Sequence, residues 1–299
     1  MNQVRADVGM PLFSASAVKT ASAVDTAKAV DTARAVEAAK PTEVLVGCAR
    51  WAIPRAHADR FPPDGSHLER YAMRFNAVEI NSSFYGPHRP STYARWAAST
   101  PPHFRFSVKV PKEITHARRL VGATDVLEAF LAEATMLGAK LGPLLVQLPP
   151  SFAYSSGVAG AFFSELRKRF AGSVVFEPRH PTWFADDVER LLVDHQVARV
   201  AADPAPVPAA AVPGGFRGLA YYRLHGSPRM YYSAYSPAYI EALAGTLAGV
   251  ARSAPTWCIF DNTAMDASTP DGLLLIERIA QIEQVERLRG GSQSAGARP

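Results

Sequence analysis

Carboxylate, guanidinium and imidazole side chains recur in this chain at one kind of place, the end of an apolar run. The stretch VVFEPRH stops in Glu177, Arg179 and His180, groups whose burial is unfavourable unless partners compensate it. YYRLHG carries Arg223 and His225, and further runs end in Glu79 and Asn81, in Lys109, in Gln147, in Asp203 and in Asp261 with Asn262. Arg50 follows the first run. Alternation along a strand puts Glu79 on one face with Asn81, Glu177 with Arg179, and Arg223 with His225. Acids and bases mixed in this way suit proton transfer, by Glu177 and His225 with His180 as a second imidazole. Lys109, Arg179 and Arg223 suit an anion, since a guanidinium offers a planar fork to phosphate or carboxylate. Glu79, Asn81 and Gln147 are then the orienting groups.

Other readings of the same residues stay open. Glu177 with Arg223 or Lys109 makes a buried ion pair that ties strands together, a purely architectural use. Glu177, His180, Asp203, His225 and His116 are competent metal ligands, as a metal-dependent phosphoesterase would use. The interleaved Lys109, Arg179 and Arg223 argue against a metal, because cations there repel it and neutralise the acids; no metal ligand is assigned and the cofactor is left unknown. Trp51, Phe84, Tyr85, Trp183, Tyr231 and Tyr232 lie close by in sequence, mostly as packing, with some able to stack on a sugar or base. The chain has no G-x-S-x-G elbow, H-E-x-x-H helix or C-x-x-C pair.

The apolar runs must position these groups. Eight of them read as strands: residues 44–48, 77–81, 104–110, 144–149, 173–179, 198–203, 221–226 and 256–262. Helical periodicity lies between most of them, clearest around Leu127, Phe130, Leu131 and Ala134. Strand and helix in alternation imply parallel pairing. Eight such units predict an α/β fold of the (β/α)8, TIM-barrel type, in which reactive groups sit at the carboxyl ends of the strands. A doubly wound sheet is the lesser alternative, since GCARWAIPRAH has no glycine-rich phosphate turn. PAPVPAAAVPGGFRG, with four prolines, predicts an irregular connection in place of a helix between strands six and seven.

Residues 17–40 repeat a six-residue unit, AVKTAS to AVEAAK. Six residues advance about 600° around a helix, so no constant apolar stripe forms. Residues 1–40 are therefore expected to be a low-complexity, disordered segment, 41–288 the barrel domain and 289–299 a disordered tail. With 48% hydrophobic and 20% charged residues the chain has the composition of a globular protein. The excess of 32 basic over 27 acidic residues is not gathered into a run, which is weak evidence for nucleic acid. Two cysteines make no disulfide framework, and neither a leader nor a membrane span is evident, so a cytoplasmic location without membrane contact is expected.

Five ordered blocks, VEINSSFYGPHRPSTYARWAASTPPHFRFSVKVPKEITH, KLGPLLVQLPPSF, VVFEPRHPTWF, YYRLHG and FDNT, resemble the YecE-like family, domain of unknown function 72, over residues 44–285. The resemblance implies a TIM-type barrel. Fold-level analogy adds a relation to endonuclease IV-like barrels and hence to DNA. Carried across by position, the family's recurrent polar residues fall on the strand-end groups above and add His116 and Asn262 to the substrate-binding set. Two positions depart from the pattern: Arg50 replaces a small residue, and Asp261 precedes Asn262 where two asparagines are usual.

The expectation is thus an enzyme, of hydrolase or lyase type, acting by acid-base chemistry on an anionic substrate that is phosphorylated or derived from nucleic acid. The alternative is a non-catalytic module that binds nucleic acid or a metabolite at the same rim. Glu79, Lys109, Glu177, Arg223 and His225 are expected to converge on one cleft. No protein partner can be inferred.

Overall fold

Strands form where β-branched and aromatic residues alternate with residues that face the other way. The computed structural model describes residues 43–295. Its strands are β1 (Val44–Cys48), β2 (Ala77–Ile80), β3 (Arg105–Lys109), β4 (Leu141–Gln147), β5 (Val174–Glu177), β6 (Val197–Arg199), β7 (Ala201–Asp203), β8 (Gly214–Gly215), β9 (Ala220–Leu224) and β10 (Thr256–Phe260). Helices His67–Ala72, Pro90–Ala98, Thr124–Ala134, Ser156–Arg169, Asp186–Asp194, Pro237–Val250 and Ser268–Ala295 run between and after them. The N-terminal segment 1–40 and residues 296–299 of the expected tail lie outside the described residues. The last helix continues through residues 289–295, past the boundary expected at 288.

The fold is α/β with parallel sheets. One sheet has the order β1-β10-β9-β7 and the other β2-β3-β4-β5-β6-β8. Every pairing is parallel except that of β8, whose two glycines run antiparallel to β6. All eight expected strand runs are present, but the sixth is divided at Val200: β6 pairs with β5, and β7 with β9. The proline-rich connection holds no α-helix, only the short 3-10 turn Pro208–Ala211 and β8.

Alternation sorts the strand residues into two layers. Val78, Ile80, Phe106, Val108, Val146 and Phe176 pack in a large core with Leu127, Phe130, Phe163 and Leu192 of the helices. Ala77, Leu145, Val175, Ala198, Tyr221, Trp257 and Ile259 form a smaller, separate core on the opposite face. Two residues further along that face the side chains turn polar: Glu79 follows Ala77, Gln147 follows Leu145, Glu177 follows Val175, Arg223 follows Tyr221, and Asp261 follows Ile259.

Strands β1 and β2 are not joined by a backbone ladder, but Asn76 links their edges. Val46 N donates to Asn76 Oδ1 at 2.7 Å, and Asn76 Nδ2 donates to Val44 O at 3.0 Å. Gly47 permits the approach, since a Cβ there would lie 2.3 Å from the Ala77 carbonyl oxygen. Among the described residues no helix is long and apolar enough to cross a membrane.

Candidate functional site

Arg223 stands at the centre of the polar layer, fully buried. Glu79 receives its Nε at 3.0 Å and its Nη2 at 2.7 Å, the two-point geometry that a guanidinium offers a carboxylate. Nη1 donates to Glu177 Oε2 at 2.6 Å, and Nη2 also donates to Asp261 Oδ2 at 3.0 Å. Tyr221 hydroxyl lies between Glu79 Oε2 (3.1 Å) and Ser107 Oγ (2.9 Å), beneath the guanidinium. Arg223 is thus a counter-ion to three acids from three strand ends, and it has no fork left to offer a ligand. These four contacts fit the architectural reading of Arg223 that the sequence left open.

His225 is also fully buried. Its Nδ1 lies 3.0 Å from Asp261 Oδ2 and its Nε2 2.9 Å from Glu177 Oε1. Arg179 Nη2 approaches the same Nε2 at 3.0 Å and Glu177 Oε1 at 2.6 Å. With a proton on each nitrogen the ring donates to both acids; with Nε2 bare, that atom accepts from Arg179. The two arrangements differ by one proton.

Lys109 completes the charge balance: Glu79, Glu177 and Asp261 face Arg223, Arg179 and Lys109. Unlike the other cations, Lys109 Nζ has no hydrogen-bond or ion-pair partner among the described residues; it rests over the Phe84 ring, 4.2 Å from its centroid. Burial, and then Arg223, lower its pKa against the pull of Glu79, Asp261 and Glu177. His116 packs edge-on against the same Phe84 ring and bonds Thr115 Oγ1 through Nδ1 at 2.9 Å. Its pKa is lowered by burial and then by Lys109.

Three expected site residues stand aside from this network. His180 accepts from Thr182 N at the start of a short 3-10 turn, Pro181–Phe184, so its hydrogen bonds serve the chain's exit from β5 and not the cluster. Gln147 Nε2 donates to Leu148 O at 2.9 Å. Asn262 donates to Ser233 O and Asp271 Oδ2. Asn81 adjoins Glu79 in a cavity of about 300 Å³ that Arg50, Trp51, His67 and Ser82 also line. Arg179 Nε, Asn81 Oδ1 and Asn262 Oδ1 are buried without a hydrogen-bond partner.

The two departures from the family pattern both become charge partners. Arg50 reaches Asp266 and Thr263 O, tying the loop after β1 to the loop after β10. Asp261 bridges Arg223 and His225. Asp261, Tyr221 and Ser107 belong to the site although sequence reasoning assigned them no role. Tyr221 had a signal in its period-two spacing with Arg223 and His225.

Burial alone would raise the carboxyl pKa of Glu177; Arg179 and Arg223, then His225, hold it well below the usual range. Asp261 is lowered too, where Arg223 and then His225 outweigh burial. These acids bind protons less tightly in the folded chain than in the unfolded one, so the stabilisation is complete above the ordinary carboxylate pKa of about 4. It is lost as pH falls through the depressed folded values. The melting temperature should therefore decline below about pH 4, and Glu177→Gln should show a shallower decline, read from melting curves between about pH 2 and 6. Parallel curves for the two proteins would contradict the assignment of Glu177.

Among known proteins, UPF0759 protein YecE of Escherichia coli K12 is 36% identical over 149 residues, 48% of this chain and 54% of that protein. UPF0759 protein YunF of Bacillus subtilis 168 is 28% identical over 118 residues, 36% of this chain and 41% of that protein. The chain spans about half the length of the curated relatives it matches, or less. In fold it is similar to a DUF72 family protein from Enterococcus faecalis V583, with a TM-score of 0.68 at 19% identity, covering 80% of this chain and 96% of that one. A DUF72 family protein from Thermotoga maritima MSB8 gives 0.66 at 22% identity, covering 79% and 99%. The family model described as "Protein of unknown function DUF72" matches residues 45–294, which contain every residue of the cluster, and the chain belongs to that family.

Proposed function

We propose that the strand-end cluster is the active site of an enzyme that binds a small anionic molecule and transfers a proton through His225 and Glu177. The observation that carries this reading is donor capacity without an internal acceptor. Lys109 Nζ has no hydrogen-bonding partner among the described residues, and Arg179 Nε is buried without one. Burying a cation without full pairing is costly, so such positions are selected where a ligand completes them. The acid-base role is supported by the two proton arrangements open to His225 between Glu177, Asp261 and Arg179.

The depth of the site favours a small ligand over duplex nucleic acid. Lys109 is 7% exposed and Glu177 1%, whereas contacts to a duplex backbone come from exposed lysines and arginines. Closure of the two sheets into a single (β/α)8 barrel belongs to the same reading. Its support is the Asn76 link between β1 and β2, and the single residue, Val200, that separates β6 in one sheet from β7 in the other.

Inorganic phosphate tests the anion site. At about 100 times its dissociation constant a ligand of the native state adds about 2.7 kcal/mol. For a domain of this size that raises the melting temperature by roughly 5–10 °C. Arg179→Met should remove the response, and sodium chloride at equal ionic strength should not reproduce it. A phosphate response equal to that of chloride would reject the anion site.

A further inference from the structure

We propose that Lys109 is a nucleophile that forms an imine with the carbonyl carbon of a small anionic aldehyde or ketone. The inference rests on the anion-site reading above and names the substrate class. Arg223 and Arg179 are both ion-paired with carboxylates, and Lys109 is the cluster cation that has no such partner among the described residues. Lys109 is buried beside Arg223, and loss of water together with a neighbouring cation favours the free amine, against the pull of the Phe84 face on the ammonium form. The lowered pKa agrees with that setting, with Arg223 acting with burial against Glu79, Asp261 and Glu177. His116 packs on the same ring, and its Nδ1 is engaged by the Thr115 hydroxyl, which leaves Nε2 to exchange protons.

The neutral Nζ lone pair attacks the carbonyl carbon; a C–N bond forms and the C=O π pair moves to oxygen. Nζ gives a proton to His116, which passes it to the oxygen, and a carbinolamine results. His116, reprotonated from solvent, then protonates that oxygen as the nitrogen lone pair expels it as water to give the iminium, and the iminium returns one proton to solvent as the neutral imine. Amine and carbonyl thus yield imine and water with no net proton uptake and no net oxidation. Arg179 is the group placed to hold the substrate's anion.

The full chain is incubated at pH 7 with glyoxylate and cyanoborohydride, which reduces the imine to a stable carboxymethyl-lysine, and modified lysines are mapped by peptide mass spectrometry. Labelling of Lys109 about tenfold or more faster than of exposed Lys112 and Lys168 is expected, since a buried amine beside a cation is the more nucleophilic one. Propanal, a neutral aldehyde, should label Lys109 more slowly than glyoxylate does. Lys109→Arg should lose the fast site while leaving Lys112 and Lys168 unchanged; if that variant does not fold, the wild-type map decides alone. Labelling of Lys109 no faster than of Lys112 and Lys168 overturns the proposal. If phosphate still stabilises the same preparation, the anion site survives and only the nucleophile falls; if it does not, both fall.

Discussion

Arg223→Met should lower stability by about 3–5 kcal/mol, whether or not a ligand is present. The substitution keeps much of the side-chain volume but removes the guanidinium that Glu79, Glu177 and Asp261 share at 2.6–3.0 Å. All three acids lie in the buried layer, so the loss leaves them to repel one another across a medium that screens poorly. For a domain of this size the melting temperature falls by roughly 6–20 °C. Glu79→Gln in the same background should recover part of the loss, because it removes one of the stranded charges, and the double variant should be less destabilised than the sum of the singles. Additive singles would mean that Arg223 and Glu79 do not act on each other, contrary to their two-point contact.

Gly47→Ala is expected to cost about 3 kcal/mol or more, the upper end for an overpacked site, because the group it strikes is backbone. A Cβ at Gly47 meets Ala77 O at 2.3 Å and Ala77 C at 2.6 Å. Neither can turn away without moving β2, which carries Glu79 and lies beside the cavity lined by Asn81. Gly160→Ala, in helix Ser156–Arg169, is the control: its nearest neighbour would be Leu191 Cδ1 at 3.7 Å, an ordinary contact. That change should be neutral or slightly stabilising, since alanine is the better helix former. Urea denaturation of both variants reads the difference, and equal midpoints would show that β1 and β2 can part without penalty.

The strand runs were legible because each is a short apolar stretch ended by charge, and the order of the parallel pairs followed from the helices between them. The division of the sixth run at Val200 left no trace in ARVAAD, since it depends on which strand lies on either side. The glycine pair of β8 offers no side-chain pattern at all. Within the site, alternation gave the faces of Glu79, Glu177 and Arg223 but not their partners. Arg223 and Glu79 are 144 positions apart, and only the folded strands decide that one guanidinium answers three acids. His180 shows a related limit: a polar residue just past a strand can enter the site or start the next turn, and its own residue type does not distinguish them. Asp261 was named only as a strand-end acid that departs from the family's asparagine, and its charge is what the neighbouring Arg223 and His225 meet.

The four hydrogen bonds on Arg223 also bear on how the site responds to time-dependent charge. A guanidinium held at four points has no rotamer to change, and its acceptors are fixed near the ends of β2, β5 and β10. When charge builds or fades beside such a group, little dipolar rearrangement can follow. The reorganisation that water would undergo at each event has already been completed during folding. If His225 moves a proton as proposed, its Nε2, with Glu177 Oε1 at 2.9 Å and Arg179 Nη2 at 3.0 Å, is the place where charge can shift while the atoms around Arg223 keep their contacts.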